Sequence, residues 1–301
     1  MTATVDSATE IIKLWPDGPP TRIDGVPDEV EYPVRAGVAA GTTFLRNISE
    51  PTLTVFTPAA SSNHVGVIVV PGGGWTINAW THEGVDVARW LTALGYTTFL
   101  LKYRVQASDA DQTTFETMMA AIDAGLAAPR SSAEKPRAIS DVISFPTYLA
   151  AREACADDGR RAIALVREHA ERLGVRTDAI GMIGFSAGAF LAVDVALDPR
   201  APQLAFIAPI YGGETRGAPV PADAPPLFIA VAQDDILVKI IEGLHEDWSA
   251  ADRSSELHVF ARGGHGFGMV KQGLPSDRWT DLFLTWLDDL EVSRESSRAT
   301  T

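Results

Sequence analysis

Residues Gly184-Phe185-Ser186-Ala187-Gly188 place a serine between an apolar run, 180–183, and a helical pattern, 187–197. In that setting a serine can act as a nucleophile. The flanking glycines let the chain turn sharply, and the strained turn lifts the hydroxyl above the edge of a sheet. The helix behind it adds a favourable dipole and the Ala187 N–H as one donor to an oxyanion. A second donor is expected from Pro71-Gly72-Gly73-Gly74-Trp75, directly after the apolar run 65–70. Three successive glycines allow backbone N–H groups to turn into a cavity, which makes Gly73 and Gly74 candidate oxyanion donors alongside Ala187. A phosphate-binding loop is disfavoured, because no Lys-Ser/Thr pair follows. Trp75 is a candidate substrate contact beside the acyl or leaving group, or else packs the loop.

A serine needs a base. His265, in Arg262-Gly263-Gly264-His265-Gly266-Phe267-Gly268, follows the run 257–260, and its glycines free the imidazole to project over the sheet. His64, His169, His245 and His258 fall on expected turns, helix faces or a strand. His82 lies near the glycine loop, in Trp80-Thr81-His82-Glu83-Gly84, and is expected to be structural. The acid that orients the base should end the strand 227–232, where Asp234 and Asp235 stand side by side. Neighbouring positions point differently, so one of them faces the histidine. Asp235 is preferred because an Asp-x-x-Val run follows it, and Asp234 is then expected to cap the next helix. The order Ser186, Asp235, His265 is more specific than any single motif.

These residues need a frame. Apolar runs at 53–56, 65–70, 97–101, 180–183, 206–210, 227–232 and 257–260 read as strands, several continuous in Val, Ile and Leu as strands covered on both faces are. Helical patterns at 84–94, 160–173, 187–197, 238–251 and 277–290 lie between them. The alternation predicts an α/β fold: a mostly parallel, doubly wound sheet with helices on both faces. Strands before residue 65 are expected to be antiparallel edge strands, since no helix separates them. One domain, 1–301, accounts for the length. Residues 105–158 break the rhythm; with an apolar helical pattern at 115–128, they are expected to form a lid or cap insertion.

The motifs Pro71–Trp75, 82–90 (HEGVDVARW), 95–104 (GYTTFLLKYR), 181–189 (GMIGFSAGA) and 263–268 (GGHGFG) resemble small bacterial α/β-hydrolases of the acetyl xylan esterase and bifunctional carbohydrate and feruloyl esterase type, near the dienelactone-hydrolase and hormone-sensitive-lipase groups. The resemblance covers roughly 53–287 outside the insertion. Ala189 stands where many relatives have glycine, and Lys239 where a proline is frequent. The resemblance implies hydrolysis of acyl esters, often acetyl groups on sugars, through a serine acyl-enzyme, with no metal and no organic cofactor. Amide, formamide or lactone hydrolysis is the nearest alternative, and a non-catalytic binding protein on the same scaffold a more distant one.

The net charge of −14 over 301 residues argues against nucleic acid and anionic membrane surfaces as partners, which leaves a neutral small molecule, an ester by the resemblance above. Residues 1–10 have neither a basic nor an apolar leader segment, so a soluble, cytoplasmic protein is expected. The single cysteine, Cys155, excludes an internal disulfide and a cysteine-rich metal site. Oligomeric state leaves no mark in the sequence.

Overall fold

The computed structural model describes residues 10–127 and 148–290, apart from 36 and 38. Its first strands are β1 (Glu10–Lys13), β2 (Val30–Pro33), β3 (Thr43–Arg46), β4 (Thr52–Phe56), β5 (Gly66–Val70) and β6 (Ile77–Asn78). A π-helical turn, Thr81–Val85, runs into α1 (Asp86–Ala93), and β7 (Thr97–Lys102) and α2 (Gln112–Ala127) follow. Beyond residue 147 come α3 (Tyr148–His169), β8 (Ile180–Phe185), α4 (Ala187–Leu197), β9 (Ile207–Ile210) and β10 (Leu227–Ala232). The described chain closes with α5 (Val238–Ala250), β11 (Ser255–Phe260), a 3-10 turn (Pro275–Arg278) and α6 (Trp279–Asp289).

Eight strands form one sheet in the order β1-β4-β7-β5-β8-β9-β10-β11. From β7 to β11 all pairs are parallel, while β1 and β4 join antiparallel at one edge. The α/β reading therefore holds. The apolar runs that mark β5, β8 and β10 are buried along their whole length, because helices cover both faces. The winding reverses where β5 lies between β7 and β8. A crevice opens at the carboxyl ends of adjacent strands at such a reversal, and ligands bind there. The register pairs Val70 with Gly184, so the loop after β5 and the turn after β8 start side by side.

Strands β2, β3 and β6 form a separate three-stranded antiparallel sheet that the apolar runs did not suggest. At two to four residues each, they are too short to show an alternating pattern. This small sheet seats α2, whose Phe115 is fully buried under the Arg46 guanidinium, 4.5 Å from the ring centroid, and edge-on to Tyr32 at 5.2 Å.

The expected insertion meets the structure in three parts. Its helical pattern at 115–128 corresponds to α2; residues 128–147 lie outside the described residues; and 148–158 belong to α3, which starts at Tyr148 where a start near 160 was expected. Gly159 sits inside the helix, where α3 crosses α4 closely: a Cβ there would stand 2.7 Å from Leu191 Cδ2 and 3.0 Å from Val195 Cγ1. Three buried ion pairs, centred on Arg104 and Arg152, hold the N-terminal half of α3. Asp158 bonds Arg104 Nη2 at 2.8 Å and Nε at 2.9 Å, and Arg152 grips Asp194 at 2.6 and 2.7 Å and Glu214 at 2.6 Å. Burial alone would weaken the Arg152 guanidinium's hold on its proton, but Asp194 and Glu214 outweigh it and push its pKa up. Arg152→Ala takes from two buried carboxylates their closest cation, and breaking a buried ion pair by removing one partner costs about 3–5 kcal/mol. Urea denaturation should register that loss, whereas a change below about 1 kcal/mol would class the cluster with solvent-screened surface pairs.

Candidate active site

Strand β8 ends at Phe185 and α4 begins at Ala187, which leaves Ser186 alone at the turn with φ 48° and ψ −116°. A non-glycine residue holds such a conformation only where its surroundings over-determine it. Here they do. Ser186 N–H donates to Ile210 O at 3.0 Å, and its carbonyl accepts the amides of Ala189 and Phe190 at 2.9 and 3.1 Å. The glycines on either side are required by packing: a Cβ on Gly184 would run into the Gly188 carbonyl, and one on Gly188 into the Val70 carbonyl.

The structure brings three of the sequence candidates into one hydrogen-bonded chain. Asp235 Oδ2 lies 2.8 Å from His265 Nδ1, and His265 Nε2 lies 2.9 Å from Ser186 Oγ. A carboxylate only accepts, so Nδ1 carries the imidazole proton and Nε2 is left to accept from the serine hydroxyl. The geometry follows from the sheet. Strands β10 and β11 are adjacent and pair Ala232 with Phe260, so the loops that carry Asp235 and His265 leave the same edge together. The Asp235 side chain is fully buried, and its second oxygen accepts Leu237 N–H at 2.8 Å. Burial opposes a charged His265, but the charge and hydrogen bond of Asp235, helped by the charge of Glu83, overcome it and hold the imidazole above the ordinary histidine range.

Asp234 does not cap the next helix. Its Oδ1 accepts the amides of Gly263 and Gly264 at 3.0 and 2.8 Å, pinning the loop that presents His265. Trp279 Nε1 holds the far end of that loop through Gly268 O at 2.8 Å.

The glycine loop lies against the serine, since a Cβ on Gly72 would stand 2.8 Å from Ser186 Cβ. Gly73 and Gly74 have φ 129° and 59°, left-handed values that favour glycine. The carbonyls of Gly72 and Gly73 turn back to accept the amides of Ala79, Thr76 and Ile77 at 3.0–3.1 Å. The amides of Gly73 and Gly74 meet no acceptor among the described residues, and a helix leaves the N–H of its first residue, Ala187, unsatisfied. Three unengaged amides thus belong to the loop and the turn that meet at Ser186.

Trp75 is 2% exposed; its ring packs on Phe190 at 5.6 Å with the Arg152 guanidinium 5.7 Å away, so it packs the loop in this state. Trp80, Tyr103 and Phe267, other aromatic residues near the site, are buried too. Tyr103 braces the glycine loop by donating its hydroxyl to Pro71 O at 2.8 Å. Glu83 and Tyr211 escaped the sequence reading and lie at the heart of the site. Glu83 Oε2 accepts Gly72 N–H at 2.8 Å and Oε1 accepts the Tyr211 hydroxyl at 2.7 Å, while the Tyr211 ring stands 5.1 Å from His265. Among the described residues no three His, Cys, Asp or Glu side chains are placed to hold a metal ion. No helix there is long and apolar enough to cross a membrane.

A mostly parallel sheet with a serine at the turn after its central strand, an acid after β10 and a histidine after β11 is the architecture of the α/β-hydrolases. Within that class, residues 53–280 match the dienelactone hydrolase family, and the chain belongs to it. It is 21% identical over 292 residues to an acetylxylan esterase of Xylanibacter ruminicola, covering 84% of this chain and 52% of that protein. The chain thus spans about half the length of that relative. Among solved structures it is similar to an acetyl ester-xyloside bifunctional hydrolase from Caldicellulosiruptor lactoaceticus, with a TM-score of 0.62, 21% identity and coverage of 94% and 97% of the two chains. An esterase from Thermogutta terrifontis superposes with a TM-score of 0.59 at 16% identity, covering 99% and 96%. At these identities the likeness speaks for the fold.

Proposed function

We propose that the protein is a serine carboxylic-ester hydrolase acting on small acyl esters, with acetylated or feruloylated carbohydrates as the substrate class. The observation that carries this reading is the chain from Asp235 through His265 to Ser186, at 2.8 and 2.9 Å, beside the unengaged amides of Gly73 and Gly74.

Ser186 Oγ attacks the ester carbonyl as His265 Nε2 takes its proton, and Asp235 stabilises the imidazolium that forms. The amides of Ala187 and of Gly73 or Gly74 hold the tetrahedral oxyanion, each such donor being worth on the order of 3 kcal/mol in the transition state. His265 then protonates the departing alcohol, and an acyl-Ser186 ester remains. Water, activated by the same imidazole, attacks that ester and releases the acid with Ser186 restored. Trp75 acts in this scheme by keeping the glycine loop in place against Phe190.

The carbohydrate part of the reading leans on the acetylxylan esterase and acetyl ester-xyloside relatives named above. A panel of acetylated xylo-oligosaccharides, a feruloyl ester, p-nitrophenyl acetate, a lactone and N-formylkynurenine tests it, together with a fluorophosphonate probe. Acetate release from the oligosaccharides and covalent labelling at Ser186 are expected. Turnover of the lactone or the formamide alone would move the substrate class. Absence of labelling would replace the enzyme reading by that of a binding protein.

A further inference from the structure

The π-helical turn before α1 carries a carboxylate that the chemistry above leaves without a task. Such turns are rare and frequent at functional sites. This one, Thr81–Val85, buries Glu83 to 3% exposure, and a buried carboxylate persists only when its oxygens are satisfied. Oε2 accepts Gly72 N–H, which leads straight into the Gly73 and Gly74 amides. Oε1 accepts the Tyr211 hydroxyl, whose oxygen in turn accepts Gly268 N–H at 2.9 Å, just beyond His265. Burial, with the Glu83 charge adding to it, pushes the Tyr211 hydroxyl well above the ordinary tyrosine range, so Tyr211 keeps its proton and donates it. The same turn holds the histidine loop a second time, through Met269 N–H to His82 O at 2.9 Å. A Cβ on Gly72 would meet Glu83 Oε2 at 2.6 Å as well as Ser186 Cβ at 2.8 Å, so the glycine loop lies against both the carboxylate and the serine.

Resting on the hydrolase reading above, we propose that Glu83 is a positioning residue for this site: it aims the oxyanion amides through Gly72 and seats His265 through Tyr211, acting on the transition state and leaving substrate affinity alone. Its charge gives the role a signature that a packing residue lacks. The groups that face His265 are Asp235 from the loop after β10, Ser186 at the turn after β8, Tyr211 after β9 and Glu83. Asp234 bonds the loop's own amides, and His82 Nε2 lies 3.7 Å from Glu83 Oε1. Removing the Glu83 charge leaves Asp235 as the carboxylate that supports the imidazolium, so the imidazole titrates at lower pH.

Glu83→Gln keeps the size, removes the charge and turns one acceptor into an amide donor facing Gly72 N–H or Tyr211. The expected result is a fall in kcat on p-nitrophenyl acetate of about 10- to 100-fold with KM within about threefold. In the same variant the His265 titration followed by NMR should move down by roughly half a unit to one unit. Tyr211→Phe keeps the carboxylate but removes both bonds of the hydroxyl, the one to Glu83 Oε1 and the one from Gly268 N–H, and so breaks the path from Glu83 to the histidine loop, for an expected kcat loss of about three- to tenfold; it decides the matter if Glu83→Gln does not fold. A wild-type kcat in Glu83→Gln, or a His265 titration superimposable on that of the wild type, overturns the proposal, as does a wild-type kcat in Tyr211→Phe where the first variant is unfolded. Fluorophosphonate labelling of the wild type tests the hydrolase reading by itself. Should that fail, the NMR titration still decides whether Glu83 supports His265.

Discussion

Ser186→Ala is expected to lower kcat on p-nitrophenyl acetate by about 10⁴- to 10⁶-fold, because no other group can form the acyl-enzyme and only the oxyanion donors and binding remain. The fold should survive. The hydroxyl's one recorded partner is His265, while the backbone bonds to Ile210, Ala189 and Phe190 do not depend on the side chain. Alanine also keeps the strain of φ 48°, which glycine would release. Ser186→Gly should therefore be as inactive as Ser186→Ala yet no less stable: the relief of about 1–3 kcal/mol of backbone strain offsets the roughly 0.5–1 kcal/mol that glycine costs by its freedom in the unfolded chain. Thermal melting of the two variants beside steady-state kinetics checks both parts. Retention of wild-type turnover by Ser186→Ala would remove Ser186 from the mechanism.

That strain explains why the elbow is legible in the sequence. Gly184 and Gly188 are needed where backbones touch, and such needs leave glycines at fixed spacings. A close approach of the same kind puts Gly159 inside α3 where it crosses α4, and the helix runs back to Tyr148 through residues that the sequence reading assigned to the insertion. Long apolar strands announce themselves because burial on both faces excludes polar residues; β2, β3 and β6 are too short to do so. Asp234 and Asp235 are adjacent, and nothing local separates a capping role from a bond to amides 29 and 30 positions on, as Asp234 makes. Glu83 is harder still. Its partners lie 11 and 128 positions away, and an acid at the start of a helix has an ordinary local explanation in the helix dipole. A buried carboxylate tied to three loops is a property of the folded sheet end, and a single sequence carries no trace of it.

Asp235→Asn gives the second large effect and separates orientation from charge. The buried side chain must serve Leu237 N–H through Oδ1 and His265 through Oδ2. An asparagine that keeps its oxygen on Leu237 turns its NH₂ toward Nδ1, which then has to accept. The imidazole proton moves to Nε2 and points at Ser186 Oγ, so the base cannot take the serine proton. A loss in kcat of about 10⁴-fold is the expected size of a wrong tautomer. The pH profile adds the sign. In the wild type His265 is held above the ordinary 6.5, and the base works only when neutral, so kcat/KM rises with pH through an acid limb centred above 6.5. With Asp235 neutralised, burial is the dominant influence and it disfavours the imidazolium, so the residual activity of Asp235→Asn should keep its plateau to lower pH. Asp234→Asn retains an oxygen for the Gly263 and Gly264 amides and carries no charge that the His265 imidazolium relies on; its acid limb should stay with the wild type. Profiles of the three proteins on one aryl ester decide between the two aspartates, and an acid limb that moves in Asp234→Asn instead would exchange their roles.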